Sequence, residues 1–341
     1  MTRFTRHSLR ASTADAEVRR TPFPHAGYDL DVITLSRRLL PLLAIVALGA
    51  TVAACAPDPP YVIGRPGLGD GEFRDPRGIA VSEQGIAVLD RTGRLQILEL
   101  DGSPRQTLTI VPGDVRRGLP IGLAWLPDGR LAVADTHSSR MRLIDPVTGA
   151  ETVFGEYGVQ PGEFLFPQRV SLRSDGDLLI SDHGMGATNR IQVLALDGSA
   201  KSMFGGPDEA DGGLARPMGV VPLPDGGSLV ADQVAGIVHF GEDGVCLGQL
   251  PEWPFGDEVL AYGLCRAPDG TLYVTDLVGH RILRLRADGA LTGVLGREGT
   301  EPGEFREPWD IAWHAGYLYV ADMGNHRVQR FDATAADWRN P

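Results

Sequence analysis

The chain has 341 residues, 43% hydrophobic, 22% charged and 7% aromatic, with a formal net charge of −12. This is the balance of a globular chain able to bury a core, and an acidic surplus without basic runs excludes a nucleic-acid binder, because phosphate contacts need clustered Lys and Arg. Gly (44) and Pro (25) are abundant, which implies many turns and few long helices, and three cysteines are too few for a disulfide scaffold.

In chain order, the first feature is an apolar run from Leu39 to Ala54 behind Arg37 and Arg38, closing on Val52-Ala53-Ala54-Cys55. The run is short for a spanning helix, which needs about 20 apolar residues. It fits the apolar region of an export signal behind a basic segment, so residues 1–54 are read as a signal. The closing residues resemble the lipobox of bacterial lipoproteins, in which the cysteine thiol is acylated and becomes the new N-terminus. That resemblance implies lipidation of Cys55, with the membrane reached through the lipid anchor alone. Ala56 follows the cysteine where Asp would retain the protein, which implies the outer membrane, facing the periplasm. A plain cleaved signal, or an uncleaved anchor with an incidental cysteine, is the other reading. Such leaders start a few residues before the arginines, so residues 1–31 point to an over-extended start and to Val32 as the true one. Residues 55–60 then form the lipidated cysteine and a short Pro-rich tether. Residues 1–54 hold seven Arg and four acidic residues, so removing them takes the net charge from −12 to −15.

From residue 61 onward the chain repeats. Strand signatures ending in Asp recur at Asp90, Asp135, Asp182, Asp232, Asp276 and Asp322, at spacings of 45, 47, 50, 44 and 46. That period matches four-stranded propeller blades. Each of these strands follows a Gly-containing turn, most often Asp-Gly, which marks a hairpin because the turn needs positive φ. A short apolar strand precedes the turn, often opened by Pro, and third and fourth strands follow each Asp. Four strands in each of six periods predict an all-β, six-bladed propeller over 61–335, with 336–341 as a tail. Tyr61-Val62-Ile63-Gly64 reads as a fourth strand with no first three before it. It is therefore expected to supply the outer strand of blade six and close the ring.

These residues resemble the NHL-repeat family. Asp322-Met323-Gly324-Asn325-His326-Arg327-Val328-Gln329 matches its signature, and Pro161-Gly162-Glu163-Phe164 and Pro302-Gly303-Glu304-Phe305 match its inter-blade linker. The resemblance implies a six-bladed propeller but says little of function, since one fold hosts many activities. A ligase role would require a zinc-binding RING domain, and the cysteines for one are missing from this sequence.

In such a blade the linkers and the turns between strands two and three share one face, here called the top. The residues opening the inner strands stand nearest the axis: Arg77, Ile121, Gln168, Met218, Tyr262 and Trp309. Next to them, Arg169 and Asp310 replace a Gly that the other four blades carry. A mouth of this kind suits a small polar or peptide ligand, or a protein of the cell envelope. The other reading is a plug that fills the central hole. Propeller lyases present metal-binding histidines at the axis, and no opener here is His. Calcium-dependent lactonases need an acidic and amide cluster, for which only Asp310 and Gln168 are candidates.

No cofactor or metal is therefore expected. His137, His183, His280 and His326 lie on top turns of separate blades and are read as structural. Blade three is irregular, and its long turn from His183 to Asn189 makes His183 a candidate contact. The Asp/Arg pairs that recur across the top turns are read as structural, since an active site occurs once. The acidic stretch 206–213 is read as a solvated loop, and Cys246 and Cys265 as too far apart to bridge. The expected function is an envelope-anchored binding or scaffolding module, and the alternative is a propeller enzyme acting on a small metabolite at the same mouth.

Overall fold

The computed structural model describes residues 60–110, 119–184, 188–208, 213–253 and 259–340. Cys55, the apolar run before it, most of the tether, the tip of the blade-three turn and much of the acidic stretch lie outside the described residues. Six antiparallel sheets of four strands each are arranged in a ring. The inner strands are Pro76–Ser82, Gly122–Trp125, Pro167–Leu172, Pro217–Pro222, Ala261–Arg266 and Pro308–His314. Each packs on the next, and the sixth packs on the first.

The apolar core lies between blades. Leu89, Leu95 and Ile97 of blade one pack on Leu123 and Val133 of blade two, and equivalent clusters fill the other gaps. Strand alternation explains this: each sheet buries both faces, one against each neighbour. Residues Tyr61–Ile63 pair antiparallel with Arg330–Val328, so the last blade takes its outer strand from the start of the described chain. Ile63 is buried and joins Phe73, Ile79 and Val328 between blades six and one. Residues 336–339, expected to be a tail, dock on blade five. Val294 and Arg339 exchange backbone hydrogen bonds of 3.0 and 2.9 Å, and Trp338 packs on Tyr273 under the Arg284 guanidinium.

The six aspartates that end the second strands are almost fully buried. In blade six, Asp322 accepts the Arg306 N–H at 2.8 Å and the Arg327 Nε–H at 2.7 Å. Arg327 then donates to the carbonyls of Thr300, Glu301 and Glu304 in the linker. Arg94 and Arg190 repeat this in blades one and three. In blade four, where Gly236 stands in the arginine position, the Val234 and Ala235 N–H groups bond Asp232 instead. Burial pushes the Asp182 and Asp322 carboxyls above their ordinary range, while Arg190 and Arg327 oppose it. In blades one, three and six the pairs are structural and hold the linker against its own blade.

Close approach at the axis explains the glycines after the openers. A Cβ on Gly78 would meet the Ile121 carbonyl at 2.2 Å, and one on Gly122 the Gln168 carbonyl at 2.6 Å. The strands can therefore converge there only without side chains. Blades three and six, opposite each other, carry Arg169 and Asp310 instead. The two side chains meet across the axis at 3.2 Å, both buried. Asp310 also accepts the Ile79 N–H at 3.0 Å, and Arg169 reaches the carbonyls of Arg77 and Trp309 at 3.4 Å. The pair bars the channel at its waist.

Two measurements follow from this architecture. Deleting residues 61–64 removes a buried isoleucine and an outer strand, and should lower Tm by roughly 5 °C or more; an unchanged melting curve would show that the outer strand is dispensable. Asp310→Ala strands a buried guanidinium and should cost roughly 3–5 kcal/mol in urea unfolding. Arg169→Met combined with Asp310→Ala should recover much of that loss, and equal losses in the single and double variants would mean the pair is not coupled.

Candidate functional site

Backbone register sets the openers apart from the strands that follow them. The ladder between the first two strands slips between Pro76 and Gly78, between Pro167 and Arg169, and between Pro308 and Asp310. Arg77, Gln168 and Trp309 are thus the extra residues of β-bulges, and the same slip spans Met218 in blade four and Tyr262 in blade five. A bulge leaves its residue unpaired and re-aims its side chain.

The structure brings together three of the proposed contacts. The Arg77 guanidinium lies 4.6 Å from the centre of the Trp309 ring, and the Tyr262 and Trp309 rings are 4.4 Å apart at 55°. All three side chains are half-buried. The Tyr262 hydroxyl shares a hydrogen bond with the Gln233 side chain. Arg77 Nε and Trp309 Nε1 are buried without a hydrogen-bond partner among the described residues. Burial holds the Arg77 guanidinium below its ordinary range, and the charge of Arg91 adds to this; it remains a cation at neutral pH. Arg91 is ion-paired to Asp75 at 3.5 Å, whereas Arg77 has no such partner among the described residues.

Other candidates sit elsewhere. Gln168 is buried and donates back to the Phe166 carbonyl at 3.1 Å. Met218 is buried. Arg169 and Asp310 form the waist beneath the mouth and are committed to each other. His183 lies beside Phe166, which also meets His137. Burial lowers both imidazoles below their usual range, with Arg77 adding to it for His137 and Arg216 for His183, so both are neutral at pH 7.

The other two turn histidines are latches. His280 Nδ1 accepts the Glu307 N–H at 3.0 Å, and His326 Nδ1 accepts the Asp75 N–H at 3.1 Å. In each case the acceptor belongs to one blade and the donor to the linker of the next. Ser139 and Asn189 make the equivalent contacts from blades two and three, to Leu165 and to Leu214 and Ala215. Among the described residues, no group of three or more His, Cys, Asp and Glu side chains is arranged to hold a metal ion.

Sequence reasoning missed a second chamber below the waist. A cavity of about 420 Å³ is lined by the lower halves of the inner strands, with Arg169 and Asp310 as its ceiling. Its walls include Trp125, Val221, Arg266 and Trp313. A signal was present: Trp125 and Arg266 each stand three residues ahead of a turn aspartate, where blades three and four carry Leu172 and Pro222.

No family model matches the chain. It is 30% identical over 121 residues to the human E3 ubiquitin-protein ligase NHLRC1, covering 35% of this chain and 28% of that protein. It is 34% identical over 73 residues to human NHL repeat-containing protein 3, covering 20% and 21%. The matched stretch thus spans well under two thirds of either relative's length. Among solved structures, a virginiamycin B lyase from Staphylococcus aureus aligns with a TM-score of 0.56 at 15% identity, covering 76% of this chain and 94% of that one. A gluconolactonase from Xanthomonas campestris aligns with a TM-score of 0.59 at 15% identity, covering 81% and 96%. At that identity the likeness concerns the fold. The chain is a six-bladed β-propeller, and over the matched stretches its sequence is similar to NHL-repeat proteins.

Proposed function

We propose that this propeller is an envelope-anchored binding module, tethered through a lipidated Cys55, whose top mouth receives a protein or a small polar or peptide ligand. The observation that carries the reading is the stack of Arg77, Trp309 and Tyr262 at the axis. Arg, Trp and Tyr are the residues that most often dominate binding energy at interfaces. Here they are bulged out of a rigid ring, so little conformational entropy is lost when a partner docks. Arg77 brings a cation without a carboxylate of its own, which favours a partner offering an acidic or carbonyl group.

A second reading, an enzyme acting on a small metabolite at the same mouth, draws support from the lyase and gluconolactonase that share the ring. It predicts a tightly held metal ion in the purified protein.

The binding reading is tested by placing a benzophenone amino acid at the exposed Arg306 on the top rim and irradiating living cells. One dominant protein adduct is expected, and Trp309→Ala with Tyr262→Ala should reduce it at least about tenfold, the loss of roughly 1.4 kcal/mol or more expected of a central aromatic pair. An adduct indifferent to both substitutions would remove the stack from the interface. Mass spectrometry of the mature N-terminus should find acylated Cys55; an unmodified cysteine would rule out the anchor.

A further inference from the structure

The chamber below the waist is a separate site with its own chemistry. Its ceiling is the Arg169–Asp310 ion pair, in which burial presses the Asp310 carboxyl up and Arg169 opposes it. Cys265 also lines it, and burial pushes that thiol well up, so it adds no charge. The remaining ionisable side chain in the lining is Arg266. Arg266 is half-buried and makes no ion pair or hydrogen bond among the described residues, though its charge helps lower the nearby Asp269 carboxyl. Other arginines packed into the blades behave differently. Arg94, Arg190 and Arg327 each hold a carboxylate and several carbonyls. A chain with a net charge of −12 therefore carries a chamber lined by one arginine without an ion-pair partner among the described residues.

The rest of the lining is mixed, with Ser82 and Ser171 among apolar side chains. Val81, Leu123, Val221 and Ala312 form walls, and Trp125 and Trp313 add two large ring surfaces. The Trp125 indole N–H is already bonded to the Gly85 carbonyl at 3.1 Å, so this ring offers the chamber apolar surface. About 420 Å³ falls within the range of small-molecule sites, roughly 300–1,000 Å³. A concave site with low-dielectric walls and one sign of charge concentrates the opposite sign.

We propose that the bottom chamber binds a small amphipathic anion, its carboxylate or other acid group on Arg266 and its apolar body against Trp125, Trp313 and Val221. Recognition is charge-assisted at one end and hydrophobic at the other. The assignment is independent of the top-mouth reading, because none of Arg77, Tyr262 and Trp309 lines this chamber.

The test compares two probes on the purified full chain: 1-anilinonaphthalene-8-sulfonate, and N-phenyl-1-naphthylamine, which has the same rings without the acid. Fluorescence titration should show saturable binding of one anionic probe per chain. Arg266→Gln should weaken the sulfonate probe roughly tenfold, the scale of a lost charge-assisted bond, while changing the neutral probe less than about twofold. Ala124→Leu, which fills the chamber, should weaken both. Arg74→Gln, an exposed charge on the top face, should change neither. Circular dichroism melts establish that each variant is folded. On the wild-type chain, 4-phenylbutyrate should displace the sulfonate probe and its uncharged amide should not, a comparison that needs no variant. Absence of saturable binding overturns the proposal. So does equal displacement by acid and amide, or a sulfonate affinity that Arg266→Gln leaves intact.

Discussion

The buried aspartate at the end of each second strand is the interaction on which this propeller depends. A carboxylate there is costly in isolation, and burial presses it toward the neutral acid. What retains it is a convergence of donors: linker N–H groups from one side and, in five blades, an arginine from the other. In blades one, three and six the guanidinium goes on to satisfy linker carbonyls that would otherwise be buried without partners. Backbone that a sheet cannot pair is secured there by one charged side chain. Blade four, lacking the arginine, uses backbone donors alone, so the carboxylate is the indispensable half of the arrangement.

Around that anchor, smaller polar contacts turn six similar blades into one ring. Gln96, Gln192 and Gln329 each accept an N–H from a linker glycine and donate to the carbonyl of the Glu that follows it. The Phe after that Glu, at 73, 164 or 305, is fully buried. His280, His326, Ser139 and Asn189 then reach the next linker. Of the motifs that look most like chemistry in the sequence, His280 and His326 are spent on joining blades and the Asp/Arg pairs on holding linkers.

The axis follows a different logic, because repetition is broken there. Four glycines allow the inner strands to converge, and two charged residues on opposite blades fill the space that remains. Their pairing divides the channel, so the ring offers two unlike surfaces. The upper one displays aromatic and cationic groups at a bulged rim, and the lower one is a chamber of mixed walls with two tryptophans and Arg266.

Much of this was legible in the residues themselves. The period of the Asp-ended strands, the Asp-Gly turns and the Pro-opened inner strands determine blade number, strand count and strand order, because alternation and turn chemistry act over a few residues. The structural role of the Asp/Arg pairs followed from their repetition alone. The sequence also marked Arg77, Tyr262 and Trp309 as neighbours of the axis. Only the tertiary structure decided which axial residues remain available. Gln168 folds back on its own linker, Met218 is buried, and Arg169 and Asp310 neutralise one another across 141 positions of chain. The bulges that aim the openers, the docking of Trp338 on blade five and the chamber beneath the waist are equally products of assembly. Each depends on distances between strands that are far apart in the chain, and local propensity carries no information about those distances.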